Sequence, residues 1–509
     1  MNSTVAETEK NRYLPAIALV AAVLGFLFDY LFFEKIPGIS VVLYVGLILA
    51  GVFGLAAYFK RNIGLSILWL VAPLLFFASM VFVRASYELV FFNILACIYL
   101  LLLIAKTIFA ENLKSYGLAN YIKTIFAPFR FLRKFISSAA DLAALGGNLQ
   151  KHNKRSQVIK GIVLAIPVLL IFIILFASAD LVFQKLITEF VSINLEPDTP
   201  FRIILSAAIA AGLMGAYSFI FLGDDNRKRL YWPEKETAPR TVGTVEITVF
   251  LGLISALFLI FILIQLSYLF GGGQNITELG FTYSEYARRG FFELIVVAAF
   301  SFLIILAADK YTERKNNGHS IFFKTASLLL SVEVIVIMAS ALKRLSLYEQ
   351  AYGFTTDRLY SHIIIFFIAA IFALLVYKIF KNEAENKLAA RIFVLAILFF
   401  AFVNLMNPED FIARKNIARF KETGKIDTAY LGQLSPDAAP EMLKILDWPG
   451  PVRYDESNND LKKRISDLLY SQRKDLESKT FTNWQSLNLA RTKARDLLKN
   501  IPSPDTSAY

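Results

Sequence analysis

Residues 282–308 read TYSEYARRGFFELIVVAAFSFLIILAA, and residues 321–360 read IFFKTASLLLSVEVIVIMASALKRLSLYEQAYGFTTDRLY. Each joins an apolar run to a polar cluster, and each run is close to the ~20 residues that an α-helix needs to cross a membrane. Thr282-Tyr283-Ser284-Glu285 has the form of a capping box, with Thr282 as the cap and Glu285 reaching back. A helix from there to Ala308 would be about 40 Å long at 1.5 Å per residue, so its first turns must project beyond the hydrocarbon. Glu285, Arg289 and Glu293 recur at every fourth position as an acid–base–acid stripe, with Arg288 beside it. Gly290 leaves room among them for a neighbouring helix.

The second cluster runs from Lys343 and Arg344 through Tyr348, Glu349 and Tyr352 to Asp357 and Arg358. Gly353 is expected just past a helix end, and Thr355 or Thr356 at the start of the next. Glu333 lies ten residues before Lys343, about 15 Å down a helix and near mid-bilayer. An ionised carboxylate there is costly, so Glu333 is expected to be protonated, paired or facing water. One reading makes it a proton- or ion-responsive site; the other makes it a carboxyl hydrogen-bonded between helices, with Gln265 and Asn404 as candidate partners. The polar clusters also admit two readings. They are an interhelical ion-pair latch, or a recognition site for an anionic headgroup, a cell-wall precursor or a small anion built from Arg288, Arg289, Lys343, Arg344 and Arg358. The candidate binding cluster is therefore Glu285, Arg288, Arg289, Glu293, Glu333, Lys343, Arg344, Tyr348, Tyr352, Asp357 and Arg358.

Composition agrees with the apolar runs. Of 509 residues 56% are hydrophobic and only 18% charged, against about 25% charged in soluble domains. The single cysteine, Cys97, lies inside an apolar run, and three separated histidines (His152, His319, His362) give no spacing for a metal site. No cofactor, metal site or catalytic residue is expected, and Gly271-Gly272-Gly273 has no Gly-Lys-Ser/Thr after it to make a phosphate loop. The net charge of +12 comes mostly from one loop: residues 106–160 hold ten Lys or Arg against two acids. That asymmetry marks a cytoplasmic loop of a polytopic protein and not a nucleic-acid surface.

The expected architecture is all-α, a polytopic transmembrane helix bundle of about 11 spans with a small helical extramembrane C-terminal domain. The spans are drawn at 14–33, 40–58, 64–83, 87–106, 160–178, 201–222, 244–269, 290–308, 321–342, 361–380 and 389–406. Alternate loops collect about 26 and about nine basic residues, so the N-terminus is expected in the cytoplasm and the C-terminal tail outside. This divides the chain into a four-span bundle (1–106), a basic cytoplasmic loop (107–159), a seven-span core (160–406) and a soluble helical tail (407–509). Within the loop, residues 121–136 mix Phe and Ile with Lys and Arg; the segment is a topology anchor, or a lipid-sensing or partner-docking helix lying in the interface on anionic headgroups. Pro128 should split it into two pieces. Asn407-Pro408-Glu409-Asp410 and Ser435-Pro436-Asp437 are expected helix starts, and Gly424 a helix end. The tail, with 17 basic and 15 acidic residues, is an expected cap or docking module for a protein partner. Asp29 and Asp180 are expected as boundary residues.

Three blocks carry a resemblance. Thr282 to Leu294, Tyr352-Gly353-Phe354-Thr355-Thr356-Asp357-Arg358-Leu359, and Asn407 to Phe420 with Gly424-Lys425-Ile426-Asp427 and Leu434-Ser435-Pro436-Asp437-Ala438 resemble a bacterial integral-membrane family. It is catalogued as domain of unknown function forty-one seventy-three, with a sister family forty-one fifty-three, and the likeness covers roughly residues 160–445. The resemblance implies a protein of the bacterial cytoplasmic membrane and brings no activity with it. The sequence thus points to a non-enzymatic envelope sensor or scaffold. An ion- or proton-coupled transporter or channel is the alternative, and an enzyme of lipid-linked substrates the least favoured reading.

Overall fold

The computed structural model describes residues 2–109, 113–145, 199–222, 242–270, 291–313, 320–447 and 458–503. Among these the chain is helical, with no strand and one isolated bridge between Val242 and Thr312. The expected span at 160–178, the amphipathic stretch around 181–191 and Asp180 lie outside the described residues, as do the capping box, Glu285, Arg288 and Arg289.

Nine of the described helices are long and apolar enough to cross a membrane, which makes the chain a multi-pass membrane protein. They are α1 (Asn2–Phe32), α2 (Ile39–Tyr58), α4 (Tyr87–Thr107), α7 (Thr199–Phe221), α8 (Thr244–Phe270), α9 (Phe291–Tyr311), α10 (Ile321–Tyr352), α11 (Thr356–Lys381) and α12 (Glu385–Met406). A further apolar helix, α3 (Leu68–Val83), is shorter. The largest departure from expectation is α10. It runs ten residues past 342, so that Lys343, Arg344, Tyr348 and Glu349 are helical. Its 32 residues make about 48 Å, well beyond the ~30 Å hydrocarbon. The helix continues because Lys343 to Tyr352 contains no breaker, and it stops at Gly353.

Two compact units emerge. The first comprises residues 1–112, 119–230 and 475–492. Its tightest pairing is α1 with α7, where Gly25 meets the Ser206 carbonyl and Ala210 so closely that a Cβ would come within 2.7 Å of both. The Asp29 carboxylate takes a forked pair of bonds from Arg202, Nη2 at 2.6 Å and Nε at 3.1 Å. The Tyr217 hydroxyl on α7 donates to the Ile48 carbonyl of α2. As Pro128 requires, the 121–136 stretch is split between α5 (Leu118–Thr124) and α6 (Ala127–Leu145).

The second unit comprises residues 113–118, 231–474 and 493–509. Its apolar core is drawn from α8 to α12, including Leu251, Ala298, Ile305, Phe323, Leu330, Ile337, Phe372 and Leu388. At one end of these helices a polar contact is buried with them: Lys378 of α11 is 1% exposed and bonded to Asp309 of α9. Beyond α12 the chain forms α13 (Pro408–Thr423), α14 (Thr428–Leu431), α15 (Ala439–Leu446), α16 (Asn458–Leu476), α17 (Lys479–Thr482) and α18 (Leu489–Leu498). Pro408 sits in the first turn of α13 and Gly424 ends it in the left-handed conformation, as expected. Ser435 caps a 3-10 turn that leads into α15.

Candidate functional site

The densest polar structure in the second unit is the turn between α10 and α11. Gly353 leaves α10 with φ 83° and ψ 179°, a backbone region open only to glycine. Its neighbour Phe354 is then presented edge-on to α13. Asn416 of α13 binds that residue at both ends: Oδ1 accepts from the Phe354 N–H at 2.7 Å, and Nδ2 donates to the Phe354 carbonyl at 2.9 Å. This is the pair of bonds a neighbouring strand would make, supplied by one side chain. One turn on, Arg419 reaches the orphaned carbonyls at the end of α10, with Nε on Gln350 at 3.1 Å and Nη2 on Ala351 at 2.6 Å. Its Nη1 donates to the Lys425 carbonyl at 3.2 Å.

The start of α11 is held in the same manner. Thr355 occupies the cap position but its side chain does not cap the helix. Instead the hydroxyl of Tyr430 on α14 accepts from the Thr356 N–H at 2.7 Å. Burial pushes the Tyr430 hydroxyl up from its ordinary range, so it remains neutral at physiological pH. Asp427, which caps α14 through the Tyr430 N–H, completes the wall. Tyr352, Phe354, Thr355, Asn416, Arg419, Lys425, Ile426, Asp427 and Tyr430 line a small pocket of about 20 Å³. The second and third of the motif blocks quoted above therefore meet here.

Of the candidate residues, the structure gathers Tyr348, Tyr352 and Arg358 around Glu349. The Arg358 guanidinium lies 4.0 Å over the Tyr348 ring and bonds the Gly353 carbonyl. The Tyr348 and Tyr352 rings are 5.0 Å apart. His362, from the next turn of α11, brings Nδ1 to 3.3 Å from the buried Glu349 carboxylate while also facing the Arg358 carbonyl at 3.1 Å. Glu293, Lys343 and Asp357 are exposed, and Arg344 is half-buried. None of these four is among the residues lining the pocket.

Glu333 stands apart, sixteen residues before Glu349 and about 24 Å along the same helix. It is buried, and its face-neighbours Leu330 and Ile337 are core residues. Ser255 of α8 approaches the carboxyl, but among the described residues neither Glu333 oxygen nor the Ser255 hydroxyl completes a hydrogen bond. Asn404, one of the neutral partners considered for it, instead donates to the Phe400 carbonyl of its own helix.

A matching arrangement occurs in the first unit. Asn488, at the start of α18, donates through Nδ2 to the Val81 and Arg84 carbonyls at the end of α3, at 3.0 and 2.8 Å. Its Oδ1 accepts from the Arg491 N–H and so starts the helix. The buried Arg491 donates to the Pro37 carbonyl between α1 and α2, at 2.9 Å. The Ile36 N–H donates to Ser486 Oγ and the Ile39 N–H to the Leu487 carbonyl. Sequence reading missed both this clamp and the Lys378–Asp309 contact. A signal for the clamp was present, since residues 416–419 read NIAR and residues 488–491 read NLAR.

No curated protein and no solved structure matches the chain. The family described as Domain of unknown function (DUF4153) matches residues 71–445, and the chain belongs to it. That is the second of the two families named from the motifs, and the match begins well before residue 160, taking in α3, α4 and the basic loop.

Proposed function

We propose that this DUF4153 family member is a non-enzymatic scaffold or sensor of the bacterial cytoplasmic membrane, with its N-terminus inside and its tail outside. One observation carries the reading. Asn416, Arg419 and Tyr430 engage the α10–α11 turn with their polar atoms, through backbone groups. Side chains engaged in this way shape and hold a surface; they do not leave a nucleophile with a base, or a free carboxylate pair, to act on a substrate. The part of the tail that engages this turn, α13 and α14, is then an extramembrane surface for a protein partner.

A second reading, proton- or ion-coupled transport, is favoured by one residue, the buried Glu333, whose oxygens find no partner among the described residues. Reconstitution separates the two. With the full chain in vesicles loaded with a pH-sensitive dye, the scaffold reading expects leakage at the level of protein-free vesicles. A flux that depends on the protein and is abolished by Glu333→Gln would replace it with transport. A periplasmic reporter fused after Asn500 should be active, and activity only of a cytoplasmic reporter there would reverse the orientation.

A further inference from the structure

The helices α5 and α6 lie across one end of the first unit. The Tyr99 hydroxyl of α4 donates to the Tyr121 carbonyl at 3.1 Å, and Lys106 Nζ, at the end of α4, donates to Thr124 Oγ1 at 3.0 Å. Lys134 Nζ reaches the Leu222 carbonyl at the end of α7, and the Phe131 ring stacks on Phe219 at 5.3 Å. The end of α2 joins the same place, with Phe59 and Phe221 rings 5.2 Å apart. These contacts fix α5 and α6 at a membrane boundary, because every helix end that they touch belongs to an apolar span.

One face of the pair is already used. Tyr121, Thr124, Ala127, Phe131 and Ser138 are buried at helical spacing. Opposite them is a second apolar face that no described residue covers: Phe126 is 58% exposed, Phe129 72% and Leu132 53%. On a 100° helical wheel Phe129 and Leu132 point away from the buried stripe, while Arg130 and Arg133 occupy the flank beside them. Lys123 on α5 and Lys60-Arg61 after α2 are exposed as well. An apolar face bordered by cations, held at the end of a set of spans, matches a leaflet with acyl chains below and negative headgroups above.

We propose that this surface binds anionic phospholipid, with Phe126, Phe129 and Leu132 in the acyl boundary and Lys123, Arg130 and Arg133 on the headgroup phosphates. The assignment is independent of whether the chain is a scaffold or a transporter. Flexible cations near a charged leaflet each contribute about 1 kcal/mol, so removing three should weaken the preference for an anionic lipid by roughly a hundredfold. That contribution must also fade at high salt.

The test uses the purified full chain in neutral detergent, titrated with phosphatidylglycerol or phosphatidylcholine, with thermal unfolding as the readout. Phosphatidylglycerol should raise the Tm at lower lipid concentration than phosphatidylcholine in 0.1 M salt, and the difference should vanish in 1 M salt. Lys123→Gln/Arg130→Gln/Arg133→Gln should unfold normally in phosphatidylcholine and lose the preference. A control that removes equal charge from the tail, Lys415→Gln/Lys463→Gln/Lys474→Gln, should keep it. Equal shifts with the two lipids, or a preference that survives the α5–α6 triple variant, would overturn the proposal. So would a preference lost equally in the tail control, which would assign it to net charge. Inorganic phosphate in place of lipid should leave the Tm unchanged; an equal shift would mean a simple anion site.

Discussion

The two clamps use the same four-residue pattern on different geometry, and the difference is informative. Asn416 lies inside α13 and grips a single residue, Phe354, by both its N–H and its carbonyl. Asn488 lies at the start of α18 and divides its amide, Nδ2 to two carbonyls of another helix end and Oδ1 to its own helix. In each case the arginine three residues later goes to backbone carbonyls at a turn or helix end, Gln350 and Ala351 in one unit and Pro37 in the other. A helix end leaves carbonyls with no partner inside the helix. In both units residues distant in sequence supply one, so the tail is part of each unit's fold.

The comparison can be broken in several ways. The largest effect is expected away from the clamps, at the buried Lys378–Asp309 contact, where removing one partner strands a charge. Lys378→Ala or Asp309→Asn should cost about 3–5 kcal/mol, while the apolar double replacement Lys378→Met/Asp309→Leu should recover most of it. Thermal unfolding in detergent reads both. Next is Gly353→Ala, which places a Cβ in a glycine-only conformation and 2.7 Å from Asn416 Oδ1; a loss of about 1–3 kcal/mol is expected. Asn488→Ala removes the side-chain bonds to the Val81 and Arg84 carbonyls and to the Arg491 N–H. It should cost about 1–3 kcal/mol, seen as a lowered Tm and faster amide exchange in α18.

The smallest effect concerns the turn between α11 and α12. There the Arg391 hydrogen bond holds the Glu383 carboxyl below its ordinary value of 4.5. A depressed carboxylate stabilises above that value and loses its contribution as pH falls through the lower folded value. The pair is partly exposed, so Glu383→Gln should lower stability by less than ~1 kcal/mol at pH 7. The variant and the parent should converge as the pH falls through the lowered folded value; a gap that persists once the carboxyl is fully protonated would remove the ion pair as its cause.

Much of this was legible before any coordinates. Uninterrupted apolar runs give nine of the eleven expected spans among the described residues, and Pro128, Gly424 and Pro408 give the breaks because their backbone limits act locally. The continuation of α10 was missed because hydropathy falls at Lys343, although hydropathy measures lipid fit and not helix formation. Lys378 reads as an ordinary boundary lysine, since its partner Asp309 is 69 residues away. The clamps leave only the paired NIAR and NLAR as a trace in the sequence, because their partners are backbone atoms, which no residue type announces. Glu333 is visible as an anomaly in the sequence, and it is a buried carboxyl neither of whose oxygens completes a hydrogen bond among the described residues.

The central claim is that Asn416 and Arg419 hold the tail against the end of α10 and are not a ligand site. Limited trypsin digestion of Asn416→Ala/Arg419→Ala in detergent tests it most directly. The account predicts rapid cleavage at Lys415, Lys421 and Lys425 with the apolar helices still folded. Unchanged protection of those lysines in the double variant would contradict it.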